Sequence, residues 1–485
     1  MNTTTSGTAF RGNDRILIGF ILAVLTFWLF ANAMMNLSPL MTADLGVERN
    51  TTNMAVSLAA LFSGAFIVVA GGLADRLGRV KILRIGIWLA IAGSLLLAVA
   101  PSGALAAPAL MAGRALQGLS AACVMSTSLG LVKLLWDGAG RQRAISYWSI
   151  GTFGGSGLSS LFGGIIATNF GWRWVFVLAA VVAVVALVLL KDLPESKKED
   201  GEAYQPDWIG IIFFLIAMLS AQVLITKGGQ IGWTSWFTVT LAAIALAFFW
   251  LFYAHERKSP IAFFDFALFR NSVFAAAVGC NFFINATAGI LIVALPLMQQ
   301  AAGYSSQQAG LLTLGYAFAV IVFIRVGEKL LQRHGARKPV MWGSLIVAAA
   351  MILMMQTHVM TGTYQVLAIA GFFLFGVGLA FFATPATDAA LSNLPAEQAG
   401  AGAGIFKMAS SIGVAIGVAV AAGVYTSISA GEPLDWLMPS MFTGRQDNVA
   451  FRQGALLANG TCLLFALSSF LLAMRRLPKQ QKATS

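Results

Sequence analysis

GGLADRLGRVK, residues 71–81, joins two long apolar runs at 53–74 and 85–100. Gly71 and Gly78 let the backbone turn tightly, and Arg76, Arg79 and Lys81, with Arg84 just beyond, make the turn basic. Asp75 contributes nothing to a purely basic loop. Placed near a helix N-terminus and paired with a neighbouring Arg, it would latch one conformation of the chain. A simple topology anchor is the alternative for the loop as a whole.

Around this turn the chain has 485 residues, 58% hydrophobic and 10% charged, against ~25% charged in soluble domains. That excludes an ordinary soluble enzyme, and the long unbroken apolar runs exclude the alternation of a β-barrel. A run of ~20 residues crosses ~30 Å of hydrocarbon as a helix. Such runs fall at 16–40, 53–74, 85–100, 107–132, 147–168 and 174–190, then at 208–226 and 235–253, then at 273–298, 309–326, 340–356, 364–383, 401–427 and 454–474. The expectation is an all-α polytopic membrane protein with 14 transmembrane helices. Residues 1–200 form one six-helix bundle, 201–260 two additional helices, and 261–485 a second six-helix bundle. The polar N-terminus leads into the first run without a small-residue cleavage site, so that run is expected to serve as its own targeting signal.

The net charge is +12. With both termini in the cytoplasm of a multi-pass inner-membrane protein, 23 of the 31 Lys and Arg fall on the cytoplasmic side, as the positive-inside rule demands. The basic surface therefore faces lipid headgroups rather than nucleic acid. Each set of six has a basic, Gly-containing loop after its second helix, with RVGEKLLQRHGARK at 325–338 echoing 71–81. Parallel repeats of this kind suggest a transporter.

GGLADRLGRVK also resembles the signature loop of the major facilitator superfamily, with Asp75, Arg76, Gly78 and Arg79 in register. LMAGRALQG at 110–118 is similar to the fourth-helix motif of its proton-coupled exporters, which implies that Arg114 influences proton transfer; Gln117 shares its face. In GTFGGSGLSSLFGG at 151–164 the Gly151/Gly155 pair permits close helix packing, but Ser159 and Ser160 stand where exporters usually have the Gly and Pro of GPxxGG, leaving Gly163 and Gly164. The two extra helices, with TFWLFANAMMN at 26–36, RQRAISYWSIG at 141–151, ATPATD at 383–388 and AGIFKMASSIG at 403–413, resemble the fourteen-helix drug:proton antiporter group and, within it, the NorB/NorC-type quinolone efflux pumps. The resemblance implies two pseudo-symmetric bundles, alternating access, and cofactor-free, proton-driven export of fluoroquinolones and other amphipathic small-molecule drugs.

The first apolar run contains no carboxylate, which disfavours dicationic cargo and favours zwitterionic, neutral or weakly acidic compounds. With all acids expected in loops or at helix ends, the proton-coupling candidates are Asp75, Glu328 and Asp388, each in reach of Arg114, Arg325 or Lys407, together with Arg114 and Gln117 themselves. Ordinary interfacial ion pairing is the competing reading. Lys407 on the thirteenth run is a candidate contact for a drug carboxylate, with snorkelling as the alternative. Asn32/Asn36 and Asn281/Asn285, each at i, i+4, are expected to line the cavity beside Phe27, Trp28, Phe30, Phe282, Phe283 and Tyr316, or else to bond between the bundles. Gly413 and Gly417 are read as packing glycines, His255, His334 and His358 as solvated loop residues, and Trp172 and Trp174 as interfacial anchors. An exporter of one endogenous metabolite and a transporter-like sensor share the composition. No metal cluster, nucleophile elbow or phosphate loop suggests an enzyme.

Overall fold

The computed structural model describes residues 12–196, 207–232, 234–259, 264, 266–304, 311–437 and 447–479. All the regular elements among them are helical. α1 runs through Asp14–Leu25, a π segment Thr26–Ala31 and Asn32–Leu45; α2 is Arg49–Leu77, α3 Arg79–Ala98 and α4 Ala106–Leu135. α5 combines Gly138–Ser149, a second π segment Ile150–Gly154 and Gly155–Phe170; α6 is Arg173–Leu189, α7 Trp208–Ile231 and α8 Trp236–Glu256. α9 combines Ser272–Ala286 and Gly289–Ala302, and α10 Leu314–His334, α11 Arg337–Met354, α12 Thr361–Ser392, α13 Ala399–Ser429 and α14 Val449–Arg476 complete the chain.

Each apolar run thus lies on a helix, but the expected count of fourteen spans is not what length and apolarity alone return. Among the described residues eleven helices are long and apolar enough to cross a membrane, or up to twelve if α5, bent by 55°, is one span. α6 has only 17 residues, and α10 carries Arg325, Glu328, Lys329 and Arg333 within its 21.

Packing repeats with a shift of eight helices. In the first half α4 packs on α2 and α3, α3 on α6, and α1 on α6 and α5; in the second half α12 packs on α10 and α11, α11 on α14, and α9 on α14 and α13. The halves meet where α13 lies along α2 and, by the same pseudo-symmetry, where α10 lies along α5. Small residues allow both crossings. A Cβ on Gly71 would come within 2.4 Å of the Gly400 carbonyl oxygen, one on Gly404 within 2.8 Å of the Ile67 carbonyl oxygen, and one on Gly157 within 2.7 Å of Ala317. α7 and α8 pack on each other, and α7 docks against α2 and α13. α8 turns Trp236, Leu246 and Trp250 outward.

Candidate functional site

The basic loops gather at one end of the helices, and there the two halves are tied by polar contacts. α2 ends at Gly78, whose φ of +115° is tolerated by glycine and places Asp75 on the last turn, facing α13. The Asp75 carboxylate accepts from the backbone N–H groups of Gly400 (2.9 Å) and Ala401 (2.7 Å), in the first turn of α13, where helix amides lack partners and the helix dipole favours an anion. Arg79, itself buried, donates Nε to the same carboxylate at 2.7 Å. Arg76 is half-buried beside them. On the other side of the α12–α13 turn, Lys133 of α4 donates to the carbonyl oxygens of Leu391 and Leu394 at the end of α12, the complementary cation at a helix C-terminus. Arg141 of α5 pairs with Asp388 at 3.0 Å and reaches Ser392, and Gln142 adds a second contact to Asp388 at 3.3 Å. A cavity of about 450 Å³ opens beside this pair.

Arg141 and Lys133 were not singled out from the sequence; a cation in a basic loop gives no sign that its partner lies roughly 250 residues away. Glu195 was missed as well. Its carboxylate accepts the backbone N–H groups of Val80 and Lys81, both at 2.9 Å, so the segment after α6 caps α3 one turn from Asp75. A Cβ on Gly78 would sit 2.6 Å from that carboxyl group. Gly78→Val is therefore expected to combine a strained left-handed backbone, of order 1–3 kcal/mol, with displacement of Glu195. A thermal midpoint lowered by several degrees in detergent checks this.

Two of the three candidate acids have partners of the kind expected, Asp75 a neighbouring Arg and Glu328 the named Arg325, whereas Asp388 has one that was not named. Asp75 takes Arg79, Asp388 takes Arg141, and Glu328 takes Arg325 with Gln332 at 3.3 Å. Asp388 lies one turn from the end of α12, as expected of a helix-end acid, whereas Glu328 lies within α10. Arg114 is remote from all of them, roughly 28 Å further along α4 from Lys133 at ~1.5 Å per residue. Its guanidinium donates to the carbonyl oxygens of Ala31, Ala55 and Val56 and to Gln117 Oε1, at 2.8–3.2 Å, and Gln117 donates on to Ser94. The Ala31 carbonyl is at the end of the α1 π segment, where the shifted ladder leaves acceptors for side chains. Arg114 thus joins α1, α2 and α4 without a carboxylate.

The aromatic and amide candidates divide by burial. Trp28, Asn32, Phe282, Phe283 and Asn285 keep partial exposure, whereas Phe27, Phe30, Asn281, Tyr316 and Lys407 are buried. Asn281 donates to the Phe406 carbonyl oxygen at 2.7 Å and to Ser410 at 2.6 Å, and Asn285 bonds back to Asn281. Asn32 approaches Ser156 at 3.4 Å. These amides join helices within one half, α9 to α13 and α1 to α5, rather than bridging the halves; the Asn36 side chain lies outside the described residues. Phe27 and Trp28 meet edge to face at 5.4 Å, as do Phe282 and Phe283 at 5.3 Å. Tyr316 fills the α10–α5 crossing, with its ring against Gly157. The packing glycines sit in close crossings: Gly151 and Gly155 against α1, Gly163 against Ala33, Gly413 against Phe282 and Gly417 against Ala286. Gly164 is the exception, since a Cβ there meets nothing within 4 Å.

Three further expectations are corrected. His255 is in the last turn of α8, with Nε2 2.8 Å from the buried Asp207, and His334 is in the last turn of α10 against Trp342. Trp172 is buried and donates to Asp44 at 3.1 Å, leaving only Trp174 at the surface. Arg173 hydrogen-bonds the same Asp44 and holds its carboxyl below the usual range.

The model of the Major Facilitator Superfamily matches this chain twice, over residues 17–277 and 274–484. The chain belongs to that superfamily. Among curated relatives it is 42% identical over 475 residues, 98% of each chain, to the quinolone resistance protein NorB of Staphylococcus aureus strain COL. It is 45% identical to the protein of that name from strain Newman, over 87% of this chain and 91% of the relative. Solved structures with the same fold include the human organic anion transporter MFSD10, with a TM-score of 0.62 at 16% identity over 95% of this chain and 98% of that one. The proton:xylose symporter XylE gives 0.61 at 16% identity, with 93% of both chains covered. The pseudo-symmetric halves described above are the superfamily's two bundles.

Proposed function

We propose that this superfamily member is a secondary drug exporter that exchanges drug for protons by alternating access. The observation that carries the reading is the closed basic end. The two bundles are joined there by Asp75 on the α13 amides, Lys133 on the α12 carbonyls and Arg141 on Asp388, contacts that water can replace when the bundles rock apart. Identity above 40% to quinolone resistance proteins along nearly the whole chain supports drugs as cargo.

In this reading the fourteen helices all span the cytoplasmic membrane, the basic end and both termini face the cytoplasm, and the outward face of α8 contacts lipid. Neither catalysis nor a bound cofactor is required, because the proton gradient supplies the work. At ~100 mV one inward charge provides ~2.3 kcal/mol, a roughly 45-fold gradient of a neutral drug. The half-buried Trp28, Phe282 and Phe283, with Asn32 and Asn285, offer flat aromatic faces and a few amides to amphipathic cargo. α1 holds no acid between Asp14 and Asp44, so a zwitterionic quinolone suits it better than a dication.

Inside-out vesicles with an acidified lumen and a lumenal pH dye test the reading. Norfloxacin is expected to alkalinise the lumen promptly, with the response lost in Asp75→Asn. Silence toward norfloxacin and ethidium from folded protein contradicts drug exchange, and a response to ethidium alone overturns the charge argument.

A further inference from the structure

Four cations are buried among the described residues: Arg79, Arg114, Arg452 and Lys407. Arg79 has the Asp75 carboxylate, Arg114 has its three carbonyls and Gln117, and Arg452 has the carbonyls of Thr357 and Val359 and the Thr361 hydroxyl. Among the described residues Lys407 has neither a hydrogen bond nor an ion pair; its Nζ stands 4.5 Å from the centroid of the Trp148 ring and 5.7 Å from that of Phe153. The Trp148 ring is fixed by donation from Nε1 to Ser128 at 3.0 Å. Lys407 belongs to α13 and the two rings to α5, so the amine is enclosed between the bundles, two turns of α13 beyond the Asp75 contact.

The charged groups on the elements packed around this point have partners of their own. Asp75 of α2 accepts from Arg79 of α3 and from the α13 amides, α4 presents Lys133 to the α12 carbonyls, and α5 and α12 present Arg141 and Asp388 to each other. Arg325 and Glu328 on α10 pair together, with Arg325 also over Tyr147 of α5. α9 contains no charged residue; α14 has Arg452 in its carbonyl cage and Arg475 and Arg476 in its last turn. On α7, Asp207 pairs with His255 at the helix start, and the Lys227 side chain lies outside the described residues.

We propose that Lys407 is the group that carries the exchanged proton, releasing it at the basic end as the bundles close over it and regaining it from the opposite side. The inference rests on the exchange reading above. An amine enclosed without a counter-ion favours its neutral form, and a hydrated one its ammonium. Closure of the basic end around bound drug therefore breaks one Nζ–H bond; the electron pair stays on nitrogen and the proton passes to water at that end. After drug leaves on the far side, a proton from water there re-forms the bond. The aromatic faces hold the new ammonium less well than water does, which favours reopening at the basic end. One proton moves inward for each drug moved outward. A drug carboxylate bound to Lys407 would instead favour the ammonium, so that drug and proton would travel together. Proton carriage therefore replaces the carboxylate contact expected from the sequence.

Purified protein in proteoliposomes separates these roles. Norfloxacin counterflow needs no net proton movement, whereas uptake driven by an imposed acid-inside gradient does. Lys407→Gln is expected to keep counterflow within threefold of the unaltered protein and to lose gradient-driven uptake at least tenfold. Lys407→Arg, which preserves length and charge and covers a folding failure of the Gln variant, is expected to lose driven uptake in the same way because a guanidinium keeps its proton. Driven uptake within twofold in either folded variant, or loss of counterflow together with driven uptake in Lys407→Gln, overturns the assignment. Absence of driven uptake in the unaltered protein refutes the exchange reading itself.

Discussion

Asp75→Ala is expected to reduce norfloxacin export at least tenfold and to leave the basic end open in most molecules. The substitution removes the acceptor of the Gly400 and Ala401 amides and the counter-ion of Arg79. Hydrogen bonds to charged groups contribute ~1.5–3 kcal/mol each, and a buried cation stripped of its partner costs ~3–5 kcal/mol. A closed state favoured by a few kcal/mol cannot absorb such a loss, and transport that cycles through it stalls. Maleimide labelling of Ala399→Cys, a position fully buried against Gly130 of α4 while the basic end is closed, reads the opening directly. The double variant Asp75→Ala/Arg79→Ala separates the causes. It removes the buried cation that has lost the Asp75 carboxylate and should regain much of the thermal stability, yet remain open and inactive because the α13 amides are still unclaimed.

Arg114→Ala is expected to lower the yield of folded protein severely rather than only slow transport. The guanidinium that ties the carbonyl oxygens of Ala31, Ala55 and Val56 to α4 is lost, and the buried Gln117 Oε1 loses its donor. Orphaned buried polar groups cost ~1–3 kcal/mol each. No water from bulk replaces the guanidinium at a site this enclosed. Arg114→Lys retains the charge but not the fork that serves several carbonyls at once, and should fold with a thermal midpoint lowered by several degrees. Size-exclusion profiles and thermal denaturation in detergent check both variants. A monodisperse Arg114→Ala protein with an unchanged midpoint would show that these contacts do not hold α1, α2 and α4 together.

The helical runs were legible because lipid forces apolar residues into continuous stretches, and the α2–α3 turn because Asp75, Gly78 and Arg79 combine sharp turning with an unexpected acid; Gly71, expected in the turn, lies inside α2 and serves the crossing with α13 instead. Span number was harder to read. In α10 the charges from Arg325 to Arg333 share one helix with an apolar first half, so composition alone places a boundary where the helix has none. Pairings were largely illegible. That Asp75 would take amides 325 and 326 residues away, or that Arg141 would take Asp388, follows from how the bundles meet, and no local period encodes it. The Asn pairs show the same division: i, i+4 spacing put Asn281 and Asn285 on one face, but only packing decides that the face looks at Phe406 and Ser410. The π segments at Thr26–Ala31 and Ile150–Gly154 have no sequence signal in TFWLFA or IGTFG, although the first supplies an acceptor for Arg114.

The central claim is exchange of drug against proton, and a two-way measurement on purified protein in proteoliposomes tests it most directly. An acid-inside pH gradient should drive norfloxacin inward against its concentration. With no initial pH difference, an inward norfloxacin gradient should alkalinise the lumen, with both signals abolished by Asp75→Ala. Norfloxacin movement that neither responds to a pH gradient nor creates one would contradict the account.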